Sequence, residues 1–307
     1  MKPQMKKSAL ILAVVIAAFV AAILHPSKTG AAGASYQLVE HWGQIPNGAK
    51  WGVMSAVAVD GQDNVYLFQR SDPVAKIMVF DSSGKFLREF GEGSFVYPHG
   101  IHVQRDGSVW ATDRQMQQAL EFNPMGKLLM SVGEKNGKGD ESSMDKFNGV
   151  SDIVMAQNGD LFASDGEGGN SRVVKIGKDG KFIKYWGSKG SDPGQFNVPH
   201  AIAMDSKGNV WVADRGNKRL QVFDQDGKFL KQLTEFGAPA GVAIGKDDTV
   251  YVAVGAPENY FTVGTPEGKI LAKVEGLDNA HGIAVDSTGA VYISESFSKN
   301  VLKYAKK

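Results

Sequence analysis

Six times along this chain a tight polar turn leads into a short β-rich run ending in an aromatic residue. The six are Asp63-Asn64-Val65-Tyr66, Asp106-Gly107-Ser108-Val109-Trp110, Asn158-Gly159-Asp160-Leu161-Phe162, Lys207-Gly208-Asn209-Val210-Trp211, Asp247-Asp248-Thr249-Val250-Tyr251 and Thr288-Gly289-Ala290-Val291-Tyr292. At a matching position before each turn stand Ser55, His99, Ser151, His200, Ala240 and His281, separated by 44, 52, 49, 40 and 41 residues. A period of that length built from short strands is the period of one propeller blade, whereas a helical repeat would show apolar residues at a 3.6-residue spacing. The expected architecture is all-β, a six-bladed β-propeller over residues 35–307 with no linker to divide it.

Each unit carries four strands. In the second, Gly100-Ile101-His102-Val103 is followed by Val109-Trp110-Ala111-Thr112, Ala119-Leu120-Glu121-Phe122 and Lys127-Leu128-Leu129-Met130. Asp81-Ser82-Ser83-Gly84-Lys85 and Asp224-Gln225-Asp226-Gly227-Lys228 join third strands to fourth, with glycine supplying the positive φ that a hairpin turn needs. The last unit stops one strand short at Val301-Leu302-Lys303-Tyr304. The segment Tyr36-Gln37-Leu38-Val39-Glu40-His41-Trp42-Gly43 reads like the missing fourth strand, so the N-terminal strand is expected to pair with the C-terminal blade and close the ring, removing its most exposed edges.

Lys2, Lys6 and Lys7 precede an apolar run from Ala9 to Leu24, followed by Ala32-Gly33-Ala34. A basic stretch, an apolar stretch and a small-x-small site describe a signal peptide over residues 1–34, and the run is shorter than the ~20 residues of a spanning helix. Left uncleaved, the same segment would be a membrane anchor. The expected location is exported, periplasmic or extracellular. The charge is balanced, 34 Lys plus Arg against 33 Asp plus Glu, which gives no electrostatic case for nucleic acid. Cysteine is absent, which excludes disulfides, thiolate metal sites and a thiol nucleophile.

His99, His200 and His281 are three of the six histidines and fall in alternate units. In a closed ring they converge on the axis about 120° apart. Three neutral imidazoles with a fourth position open are the donor set of a catalytic zinc site. The alternative is that they are repeat residues that hydrogen-bond neighbouring blades. His102 is expected to pack between blades, with His41 on an outer strand and His25 in the signal segment. Around the same mouth lie Gln69-Arg70-Ser71-Asp72, Thr112-Asp113-Arg114, Ser164-Asp165-Gly166-Glu167, Ala213-Asp214-Arg215 and Ser294-Glu295. Asp113, Asp165 and Asp214 are expected to cap loop backbone N–H groups. Arg70 and Arg215, from opposite sides of the ring, are candidates to grip a carboxylate over the metal or to pair between blades. Glu167 sits in a glycine-rich loop, Asp165-Gly166-Glu167-Gly168-Gly169-Asn170, that either approaches a ligand or moves freely.

Val96-Tyr97-Pro98-His99-Gly100-Ile101, Phe196-Asn197-Val198-Pro199-His200-Ala201-Ile202 and Asn279-Ala280-His281-Gly282-Ile283 resemble the zinc-binding segments of peptidyl-α-hydroxyglycine α-amidating lyases. Pro193-Gly194-Gln195-Phe196 and Ala213-Asp214-Arg215-Gly216-Asn217-Lys218-Arg219-Leu220-Gln221-Val222-Phe223 are similar to NHL repeats, to which that lyase domain is related. The resemblance implies zinc at His99, His200 and His281, arginine roles for Arg70 and Arg215, and cleavage of a peptidyl-α-hydroxyglycine into a peptide amide and glyoxylate. It places a catalytic tyrosine in the loop where this chain has Glu167, a carboxylate able to act as a base. It also implies a structural calcium whose acidic ligand follows the third histidine, where this chain has Gly282.

Three functions therefore stand open: a zinc-dependent lyase acting on an α-hydroxylated amide or related small carboxylate in the central channel; a non-enzymatic propeller binding a protein, peptide or glycan; and a metal-dependent hydrolase or lactonase. The imidazole donors favour the first over a calcium lactonase.

Overall fold

The computed structural model describes residues 34–71 and 74–307. The segment read as a signal peptide lies outside the described residues except for its last residue, Ala34. Among the described residues the regular structure is strand apart from two single-turn 3-10 segments, and no helix is long and apolar enough to cross a membrane. The strands form six four-stranded antiparallel sheets. Blades 1 to 5 occupy residues 53–90, 98–132, 150–186, 199–233 and 239–275, each with its strands in sequence order from the axis outward.

Blade 6 is assembled from both ends of the chain. Its first three strands are Ala280–Val285, Val291–Glu295 and Asn300–Lys306, and its fourth is Tyr36–Leu38, with Tyr36 opposite Lys306 and Leu38 opposite Tyr304. The expected closure is therefore present. Trp42, just beyond that strand, seals it: the indole packs on Phe80 of blade 1 and Tyr292 of blade 6 and donates its N–H to the Ser82 carbonyl.

The apolar core is six interblade layers rather than one central mass. Between blades 1 and 2 lie Phe68, Ile77, Ile101 and Leu120, and between blades 3 and 4 lie Phe162, Val173, Ile202 and Phe223. A blade's sheet is apolar on both faces because each face meets a neighbour, so its middle strands read as continuous buried runs such as Val210–Asp214. This arrangement leaves the axis free for other chemistry.

Every inner strand carries a bulge at the position that defines the repeat. In blade 4, Pro199 pairs with Asp214 and Ala201 with Ala213, which leaves His200 unpaired between them. Matching shifts occur at Ala240 and His281, at Ser151, and around Ser55 and His99. A bulge interrupts the strand's side-chain alternation and re-aims the extra residue. Here it turns that residue toward the axis.

Candidate metal centre

The three histidines meet on the axis as a nearly equilateral triangle, with ring centroids 4.8, 4.9 and 5.0 Å apart. Their orientation is set by the next blade round the ring. His99 Nδ1 lies 2.7 Å from the Ser151 carbonyl, His200 Nδ1 2.5 Å from that of Ala240, and His281 Nδ1 2.6 Å from that of Ser55. A carbonyl only accepts, so each Nδ1 carries the proton and each Nε2 presents a lone pair. The odd blades keep small residues, Ser55, Ser151 and Ala240, at the position where the even blades have histidine. Three imidazoles thus fill the axis, and the carbonyls of the odd blades hold them.

Burial is the largest influence on all three rings and pushes each well below the ordinary imidazole range, His281 to about 3. Positive neighbours act in the same sense: Arg70 on His281 and His99, Arg215 on His200. The imidazoles are therefore neutral at pH 7. The Nε2 atom of His200 is buried and has no hydrogen-bond partner. A buried polar atom left unpaired is costly, and coordination would relieve it. The candidate ligand atoms of the three residues lie within 4.8 Å of one another. Neutral imidazoles whose Nδ1–H groups are fixed to carbonyls are donors of the kind zinc takes, so the residues fit a metal ion of that class.

Glu167 lies against two of the three rings. Its Oε1 is 3.6 Å from His200 Nε2 and 2.7 Å from Arg215 Nη2; its Oε2 is 3.8 Å from His99 Nε2 and 2.6 Å from Arg114 Nη1. The carboxylate thus bridges arginines of blades 2 and 4. Its loop is pinned. Gly166 and Glu167 both donate N–H to the Gly149 carbonyl, and a Cβ on Gly166 or Gly168 would come within 2.5 Å of the Pro199 or Asn148 carbonyl oxygen. What these glycines allow is the close approach of neighbouring backbone at Pro199 and Asn148.

Arg215 is brought to the triad through Glu167. Arg70 is not paired with it: Arg70 stacks 4.4 Å over the Tyr97 ring, donating from Nε to the Pro98 carbonyl and from Nη1 to the Tyr97 hydroxyl. Arg114 lies over the same ring at 5.3 Å. Sequence reasoning did not single out Arg114 or Tyr97. Their position beside the first histidine segment was the available signal, but side-chain direction is not encoded in spacing.

The neighbouring acids serve the scaffold. Asp113 accepts the N–H groups of Val96, Tyr97, Gln115 and Met116. Asp165 holds Asn148 N–H and the fully buried Arg172, and Asp214 holds Asn197 N–H and Arg219. Below the histidine layer, the next position round the ring reads Ala56, Gly100, Asp152, Ala201, Gly241 and Gly282. Asp152 is the one residue there with a side chain beyond Cβ. It accepts N–H from Ile153 and Ile202, and burial pushes its carboxyl up to about 7. At Gly282 a Cβ would fall 2.7 Å from Ser294 Oγ and 2.9 Å from Ala56 Cα, so the packing leaves no room there for an acidic side chain. His102, expected between blades, instead lines the channel further in, and burial lowers its pKa to about 4.

Residues 196–223 match the sequence pattern of the NHL repeat family. Human NHL repeat-containing protein 3 is 34% identical over 277 residues, covering 82% of this chain and 79% of the human protein. A probable peptidyl-alpha-hydroxyglycine alpha-amidating lyase of Caenorhabditis elegans is 28% identical over 244 residues, covering 74% of this chain and 69% of its own length. Among solved structures, a gluconolactonase of Xanthomonas campestris superposes with a TM-score of 0.64 at 13% identity, covering 84% of this chain and 87% of that one. At that identity the likeness speaks for the fold alone.

Proposed function

The chain belongs to the NHL-repeat family of six-bladed propellers, and from that premise we propose that it is a zinc-dependent lyase that cleaves an α-hydroxylated amide bearing a carboxylate. The observation that carries the proposal is the convergence of three Nε2 lone pairs on the axis, each fixed by an Nδ1–H bond to a carbonyl of the next blade. The similarity to an amidating lyase supports the reaction class.

His99, His200 and His281 would hold the ion, which when bound supplies Lewis acidity to an oxygen of the substrate. The remaining chemistry falls to side chains at the mouth. Glu167, whose oxygens lie 3.6 and 3.8 Å from two of the Nε2 atoms, would accept the proton of a hydroxyl seated at the triad. As that O–H bond breaks, its electron pair forms a carbonyl, the C–N bond breaks, and its pair passes to the amide nitrogen, which takes up a proton. The products are an amide and an α-oxo acid, with no net change in redox state. Arginine at the mouth binds the substrate's carboxylate. Export through the basic and apolar N-terminal segment completes the proposal.

The test is release of glyoxylate from an N-acyl-α-hydroxyglycine. Turnover that disappears in both His200→Ala and Glu167→Ala supports the proposal. A metal-loaded chain with no turnover favours the alternative of a binding propeller.

A further inference from the structure

The mouth of the channel holds three arginines, from blades 1, 2 and 4, and they are not equivalent. Arg114 and Arg215 are both occupied by Glu167, at 2.6 and 2.7 Å, each taking one oxygen of the same carboxylate. Among the described residues Arg70 has no carboxylate partner; its Nε and Nη1 donate to a carbonyl and a phenol oxygen. Its charge nevertheless acts on His99 and His281. The triad is asymmetric in the same way. His99 and His200, beneath Glu167, are 3% and 2% exposed, whereas His281 is only partly buried.

On that side the position that carries Arg114 and Arg215 holds small residues. The residue after the end of the second strand is Arg114 in blade 2, where Asp113 pairs with Pro98, and Arg215 in blade 4, where Asp214 pairs with Pro199. By the same register the equivalent residues are Gly255 in blade 5, after Val254, and Ser296 in blade 6, after Glu295. The side chains that cover the triad from blades 2 to 4 thus have no counterpart over blades 5 and 6. Phe297, beside Ser296, stands 66% exposed on this rim.

We propose that Glu167 is the resident occupant of the anion subsite formed by Arg114 and Arg215, so that a ligand's carboxylate is taken by Arg70 and the ligand reaches the triad over His281. Glu167 is held by the N–H bonds that it and Gly166 donate to the Gly149 carbonyl and by its contacts with Arg114 and Arg215. A second carboxylate beside it would meet like charge at contact distance, whereas one on Arg70 meets a guanidinium that, among the described residues, makes no ion pair with Glu167 and feels its charge only through space. The ligand class is a small monoanionic α-hydroxy carboxylate whose uncharged remainder leaves over the Gly255 and Ser296 side. The inference rests on the lyase reading only for the nature of the ligand.

The experiment is calorimetric titration of the purified chain with glycolate, which needs no turnover. In wild type, Arg70→Ala weakens glycolate by at least about tenfold, the loss expected for one charge-assisted contact, while Arg215→Ala changes it little. Glu167→Gln, which keeps the shape and drops the charge, tightens glycolate by at least about tenfold, and adding Arg215→Ala to it removes the gain. Glu167→Ala repeats the measurement without the amide's own hydrogen bonds, and a circular dichroism spectrum matching wild type qualifies each variant. Equal losses in Arg70→Ala and Arg215→Ala, or no gain in either Glu167 variant, would overturn the proposal. Glycolate affinities as expected with no glyoxylate release would sink the lyase reading and leave the subsite assignment standing.

Discussion

His281 donates its Nδ1–H to the carbonyl of Ser55 at 2.6 Å, across 226 residues of sequence. The same bond closes the ring at its axis and aims the third Nε2 lone pair. It links the blade completed by the N-terminal strand to the blade that follows, so ring closure and site geometry depend on each other.

Trp42 tests that dependence at the outer rim. It is 6% exposed, lies between Phe80 and Tyr292, and sits just past the strand that completes blade 6. Trp42→Ala is expected to cost about 3–5 kcal/mol in urea unfolding, as large-to-small changes in a core do. Deleting residues 34–43 should cost more and broaden the transition. Unchanged midpoints would mean that the closing strand is decorative.

Gly149 sets the height of Glu167. It has φ of +99°, and a Cβ there would fall 1.9 Å from Gly168 N, against backbone that cannot swing away. Gly149→Ala is expected to destabilise by about 3 kcal/mol through strain and overpacking. It should also lower turnover, because the loop carrying the carboxylate must shift. A variant with wild-type stability and rate would show that the loop is compliant.

Two buried groups in the channel give opposite pH dependence. His281 titrates near 3 when folded against 6.5 when free, so between those values the unfolded chain binds the extra proton; stability is complete above pH 6.5 and falls as the pH drops toward 3. Asp152 titrates near 7 when folded against 3.8 when free, so its contribution is complete below pH 4 and is lost as the pH rises to 7. In the presence of a chelator, His281→Asn should flatten the acid limb of a stability profile, and Asp152→Asn should raise stability at pH 8 relative to pH 4. Urea midpoints measured across pH 4 to 8 decide this, and profiles parallel to wild type would contradict it.

The ring and the triad were legible in the sequence because both follow the period: a residue recurring at the blade spacing must recur at one radius and height. What the period cannot carry is direction. The bulge at His200 is invisible in Val198-Pro199-His200-Ala201, yet it is what turns the imidazole to the axis. The Glu167 clamp joins residues 53 and 48 positions apart on loops of three blades, and neither loop betrays the other in composition. Arg70 and Arg215 read as equivalent from sequence, because whether an arginine is already neutralised depends on a neighbour's side chain.

Whether His99, His200 and His281 hold a metal ion is decided by elemental mass spectrometry of the purified chain beside His200→Ala. Wild type is expected to carry about one zinc per chain, as a three-histidine site holds, and the variant to lose it. No bound metal in wild type, and no uptake when zinc is supplied, would contradict that expectation and leave the three imidazoles as interblade struts.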